Sequence, residues 1–109
     1  MAYEHPRSHV RIHFPPSRRP VLVLASVEHP VLDLSAEGLL FTLPPGTPRP
    51  ALGSRIEGVL RLRASPPVDV RARVVWVDED RVGLHLWPDA IPYPVLLAEE
   101  RGLARAHEA

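Results

Sequence analysis

Val68-Asp69-Val70-Arg71-Ala72-Arg73-Val74-Val75-Trp76-Val77, then Asp78-Glu79-Asp80, then Arg81-Val82-Gly83-Leu84-His85-Leu86-Trp87, is the stretch whose reading decides the fold. Apolar side chains fall at every second position. Val70, Ala72, Val74 and Trp76 share one face, while Asp69, Arg71 and Arg73 share the other. A period of two marks a strand with one wet face, because successive side chains point to opposite sides. The acidic triplet has the length of a tight turn, and Val82, Leu84 and Leu86 then resume the alternation.

Outward from this hairpin the same pattern recurs. Arg55–Ala64 sets Leu60, Leu62 and Ala64 against Arg61 and Arg63, and Pro66-Pro67 ends it. Leu39–Leu43 reads as a strand stopped by Pro44-Pro45-Gly46, and Val31–Ser35 as another. Pro20–Leu24 is an apolar run with Ser26–Pro30 as its expected turn, and His9–Phe14 is a first strand halted by Pro15-Pro16. Only Val95–Ala106 has helical character; Pro94 suits its start and Gly102 weakens its interior. Short strands joined by hairpin-length loops favour an antiparallel barrel or sandwich.

The 109 residues suffice for one modest core and not for two. Hydrophobic residues make up 45%, enough to drive folding. Formal net charge is +0, so no overall field favours nucleic acid or an anionic membrane, and any anion site must be local. No apolar run approaches the roughly 20 residues needed to span a bilayer. MAYEHPRSHV lacks the apolar core of a signal peptide, so a cytoplasmic location is expected. Cysteine is absent, which removes thiolate nucleophiles, disulfides and cysteine metal sites. All 13 basic residues are arginine, and asparagine and glutamine do not occur. Heat adaptation and GC-rich coding both produce that skew.

Two polar signatures stand out near the start. Arg7-Ser8-His9-Val10-Arg11 spaces two arginines as RxxxR, and Asp33-Leu34-Ser35-Ala36-Glu37-Gly38 has the form DxSxxG. Two guanidinium forks, a carboxylate, a hydroxyl and a glycine suit an anionic, guanine-bearing ligand, since arginine binds phosphate oxygens or the O6/N7 edge of guanine bidentately. A carboxylate such as Asp33 accepts the N1 and N2 hydrogens of guanine or holds an arginine. The glycine permits a positive φ or a close backbone approach. No catalytic constellation accompanies them: Ser35 has no histidine placed to activate it, and phosphate loops of the P-loop or Rossmann kind are absent. The chain is not expected to be an enzyme.

RxxxR ahead of a first strand, DxSxxG after the second, and the downstream RARVVWVDEDRVGLHL together resemble a PilZ domain, a bacterial receptor for the second messenger cyclic di-GMP. The resemblance runs from about Arg7 to the C-terminal helix. It implies a six-stranded antiparallel β-barrel with a short C-terminal helix, within a single domain spanning 1–109. The segments expected are a flexible arm over 1–11, a barrel over about 9–88 and a helix over about 94–106. It also implies a ligand set of Arg7, Arg11, Asp33, Ser35 and Gly38, with no cofactor beyond the cyclic di-GMP ligand. A stand-alone receptor would relay the messenger to an effector protein controlling motility, pilus function or exopolysaccharide and biofilm, as monomer or homodimer, without DNA or membrane insertion. One departure is Pro6, where many members carry a further arginine. A second register pairs Tyr3 with Arg7 and makes the motif degenerate, which would leave a PilZ-like adaptor that binds no nucleotide. Arg11, 22 positions before Asp33, favours the Arg7/Arg11 register.

Other conspicuous residues have plainer readings. Trp76 invites a base-stacking role, but its alternation favours the core with one ring edge near the site, and Trp87 and Tyr93 belong to the junction of barrel and helix. Arg61, Arg63, Arg71 and Arg73 read as a solvated sheet face, and Glu99-Glu100 as the wet side of the helix. His5, His9 and His13 recur every four residues, but on a strand they stand too far apart to share a metal; His13 has a further use open to it as a polar contact near the ligand.

Overall fold

The computed structural model describes residues 11–88 and 90–108. It comprises β1 (Arg11–His13), a 3-10 turn at Pro16–Arg18, β2 (Val21–Leu24), β3 (Val27–Ser35), β4 (Gly38–Thr42), β5 (Arg55–Arg61), β6 (Val68–Val77), β7 (Arg81–Leu86) and α1 (Tyr93–Glu108). Neighbours run β3-β2-β5-β6-β7-β4, and β4 pairs back onto β3, so six antiparallel strands close a barrel. β1 is an extra strand laid antiparallel on β3. Closure removes exposed sheet edges, which an open sheet of this length would offer to other chains.

The alternation supplies the core. Leu22, Val31, Phe41, Leu60, Val70, Val74, Val82 and Leu84 all point inward and are buried. α1 adds Leu96, and the segment before it adds Ile91. β5 crosses β2 closely: a Cβ at Gly58 would lie 2.6 Å from the Val23 carbonyl oxygen, so no larger residue fits.

Of the stretch expected as a turn, Ser26–Pro30, only Ser26 lies in the reversal, and Val27–Pro30 is strand. Ala25 and Ser26 make the reversal with φ of 48° and 70°, and Leu24 pairs directly with Val27. Positive φ at both central residues matches the twist of a two-residue hairpin, even without the usual asparagine or glycine. Pro30 is accommodated where β3 pairs with β2 and the missing N–H is tolerated. A proline in the middle of an apolar stretch reads as punctuation, and this one is not.

Glu99 does not face solvent. It is 2% exposed, and its carboxylate accepts the Arg63 and Ala64 amides, both at 2.8 Å, and the Ser65 hydroxyl at 2.9 Å. One buried charge thus fastens α1 to the turn after β5, with three donors offsetting its lost hydration. The arginines of the sheet face are partly matched to acids: Arg61 bonds Glu28, and Arg71 lies 3.0 Å from Glu57.

His29 is a buried imidazole on β3, tilted against the Phe41 ring at 5.1 Å between centroids, with Nδ1 unpartnered among the described residues. Burial pushes its pKa below the ordinary histidine value, and a hydrogen bond with the Thr42 backbone opposes that only in part. The unfolded chain therefore binds this proton more readily than the native one, so stability falls as the pH drops below about 6.5. The melting temperature should decline between about pH 7 and about pH 5, and His29→Gln should flatten that decline. An unchanged slope in the variant would show that His29 is not its source.

Candidate functional site

β3 positions the site because three strands converge on its end. In the β1–β3 ladder Arg11 stands opposite Ser35, Ile12 opposite Leu34 and His13 opposite Asp33. Ile12 and Leu34 are buried, which turns Arg11, His13, Asp33 and Ser35 outward on one common face. The ladder continues through the Phe14 amide, which donates to the Leu32 carbonyl at 2.8 Å.

DxSxxG is a hairpin. β3 ends at Ser35, Ala36-Glu37 forms the connection, and β4 begins at Gly38. The Gly38 amide donates to Ser35 Oγ at 3.0 Å, which holds the turn shut. Gly38 does not adopt a positive φ, and a Cβ there would meet the Leu84 carbonyl and Ser35 Oγ at an ordinary 3.6 Å. Neither torsion nor crowding inside the fold demands glycine at this position. What its missing side chain leaves is open space at the wall of the site.

Two adjoining hollows share Arg11, Ser35 and Gly38. The inner one, about 270 Å³, is completed by Asp33, Leu34, Leu39, Leu40, Trp76 and Gly83. The outer one, about 480 Å³, is bounded by Ala36, Glu37, Val75, Leu84 and His85. Asp33 is the acid of the inner hollow, and among the described residues its carboxylate is bonded by one side chain, His13, through Nδ1.

Trp76 corrects its core assignment. The β6–β7 register shifts between Val74 and Trp76, so Val75 and Trp76 both lie on the outside and Trp76 is 43% exposed. A bulge of this kind re-aims a side chain, and here it delivers an indole to the inner hollow. Gly83 lies opposite; a Cβ on it would come within 3.2 Å of Trp76 Cβ. The Arg81 guanidinium covers the ring at 5.5 Å, and Asp78 and Asp80 flank Arg81 at 3.5 and 3.8 Å. Trp87 likewise is 36% exposed, in a hollow with Arg55, Glu57 and Arg71, and Arg55 lies over its ring.

Of the residues read from the sequence, Arg11, Asp33, Ser35 and Gly38 are brought together, and Arg7 lies outside the described residues. A family model for the PilZ domain matches residues 5–93. The chain belongs to the PilZ domain family. No curated protein shows significant similarity to it. PilZ domains are binding and adaptor modules of the cyclic di-GMP type, and the six-stranded barrel with a C-terminal helix agrees with that membership.

Beside this PilZ site, Gly83 escapes the sequence reading, Trp76 reads as core ahead of a stacking role, and His13 reads as a polar contact near the ligand that sequence alone does not establish. His13 was legible in principle: once β1 pairs with β3 around Ile12, the residue two beyond Arg11 must share its face. The bulge that frees Trp76 leaves only one trace, a glycine in β7 where a larger residue would pack. Gly83→Ala should push the indole aside and lower stability by about 1 kcal/mol, the usual scale of overpacking. In a Trp87→Phe background, tryptophan emission should shift with that substitution. Unaltered emission would contradict the contact.

Proposed function

We propose that this PilZ domain binds cyclic di-GMP at the inner hollow and relays its level to an effector protein. The observation that carries the reading is the face on which Arg11, Asp33, Ser35 and Gly38 meet beside an exposed indole. Arg11 supplies a planar fork for a phosphate or for the O6/N7 edge of guanine. Asp33 takes the N1 and N2 hydrogens of guanine, or steadies Arg7 arriving from the segment before β1. Ser35 Oγ already accepts the Gly38 amide, so its role is to fix the turn. The face of Trp76 offers stacking to a base, worth about 1–3 kcal/mol per base in single-stranded nucleic acid complexes.

Nothing in this set breaks a bond, and the reading is of a receptor, not an enzyme. A dianion drawn to Arg11 and Arg7 would order the residues ahead of β1 across the barrel wall, creating or hiding a surface for the partner. Motility, pilus function or exopolysaccharide production are the outputs that follow from family membership, in the cytoplasm where the messenger is made.

Calorimetric titration with cyclic di-GMP tests the proposal. The wild type should bind near the micromolar range, about −8 kcal/mol. Arg11→Ala should weaken binding by about 2 kcal/mol, the scale of a lost charge-assisted contact, and Asp33→Ala should weaken it measurably. A flat wild-type trace would reject the receptor reading in favour of an adaptor that works by protein contact alone.

A further inference from the structure

We propose that His13 is a positioning residue of this site, and that its charge sets how tightly the anionic ligand is held. The inference rests on the cyclic di-GMP reading above and adds a residue outside both motifs. The ladder places His13 directly opposite Asp33, on the same outer face as Arg11. Its Nδ1 bonds Asp33 Oδ1, and the two side chains are 81% and 30% exposed, so the imidazole is the wet partner and the carboxylate the sheltered one. The bond fixes which way the carboxylate turns within the hollow.

Nδ1 carries a hydrogen in one neutral tautomer and in the imidazolium alike, so the contact persists on protonation while the local charge changes. With His13 neutral, Asp33 and Arg11 cancel and the hollow carries no net charge for a dianion to meet. With His13 protonated, a positive charge is added at the rim of that hollow, bonded to Asp33, without moving an atom. Affinity for a bis-phosphate should therefore be higher at lower pH, where histidine as a residue type gains its proton.

The charged surroundings support the sign. On the shared face stand Arg11 from β1 and Asp33 from β3, while Arg18, on the 3-10 turn that follows β1, borders a separate hollow with Phe14, Arg63 and Glu99. His85 of β7 and Glu37 border the outer hollow, and their contributions are common to wild type and variant. α1, which packs on β1, brings Glu99, already committed to the amides of Arg63 and Ala64, with Glu100, Arg101 and Arg105. His5 and His9 lie outside the described residues, and a substitution confined to His13 separates its share from theirs.

Titration calorimetry with cyclic di-GMP at about pH 6 and about pH 8 tests the inference on wild type, His13→Gln and His13→Arg. The wild-type Kd should rise about fivefold toward the higher pH, at the low end of site–site coupling because His13 is exposed and screened. His13→Gln, which retains a donor for Asp33, should show a smaller pH dependence and sit near the wild-type value at high pH. His13→Arg should be tight at both. Melting curves of each protein at both pH values separate a binding effect from a folding one. A flat wild-type profile, an equal slope in His13→Gln, or affinity that rises with pH would overturn the role of His13 and leave the receptor reading intact. No binding by the wild type at either pH would remove the receptor reading, and this one with it.

Discussion

The register of β1 on β3 is the constraint on which the site depends. Ile12, 3% exposed, lies opposite Leu34, 1% exposed, and each drives one apolar side chain into the barrel. A slip of one residue would turn Ile12 to water, costing about 2 kcal/mol, and force Arg11 or His13 inward at greater cost. Two buried side chains thus decide that a guanidinium and an imidazole face the carboxylate and hydroxyl of the neighbouring strand. The polar chemistry outside is set by apolar packing inside.

Rigid elements hold the rest of the wall. The hairpin between β3 and β4 is closed by its own serine, and β4 is locked into the barrel by β7, which pairs with it from Gly38 through Thr42. The indole reaches the hollow through a defect in the β6–β7 ladder and is covered by Arg81, itself flanked by two acids. Away from the site, the buried Glu99 fastens the helix to the turn after β5.

The sequence made the barrel legible because its alternation is nearly uninterrupted: β6 falls at Val68–Val77, as its apolar period requires. What escaped it were places where local chemistry and tertiary context disagree. Pro30 reads as a breaker but lies within β3, and the hairpin is made at Ala25-Ser26, at the very start of the turn expected over Ser26–Pro30. Glu99 reads as solvent-facing because nothing local reveals that amides of the turn after β5, 35 and 36 positions earlier, will meet it. Trp76 obeys the alternation on paper, and only a bulge set by two strands together turns it out. The RxxxR and DxSxxG motifs identified four described residues that converge, while His13, the partner of Asp33, emerges only from strand pairing.

The most direct test of the central claim is a map of backbone amide and indole shifts during titration with cyclic di-GMP. The account predicts changes concentrated at Arg11–His13, Asp33–Gly38 and the Trp76 indole, with the turn after β5 and Glu99 still. Shifts gathered instead around Arg63, Glu99 and Gly102, or no shifts at saturating ligand, would contradict it.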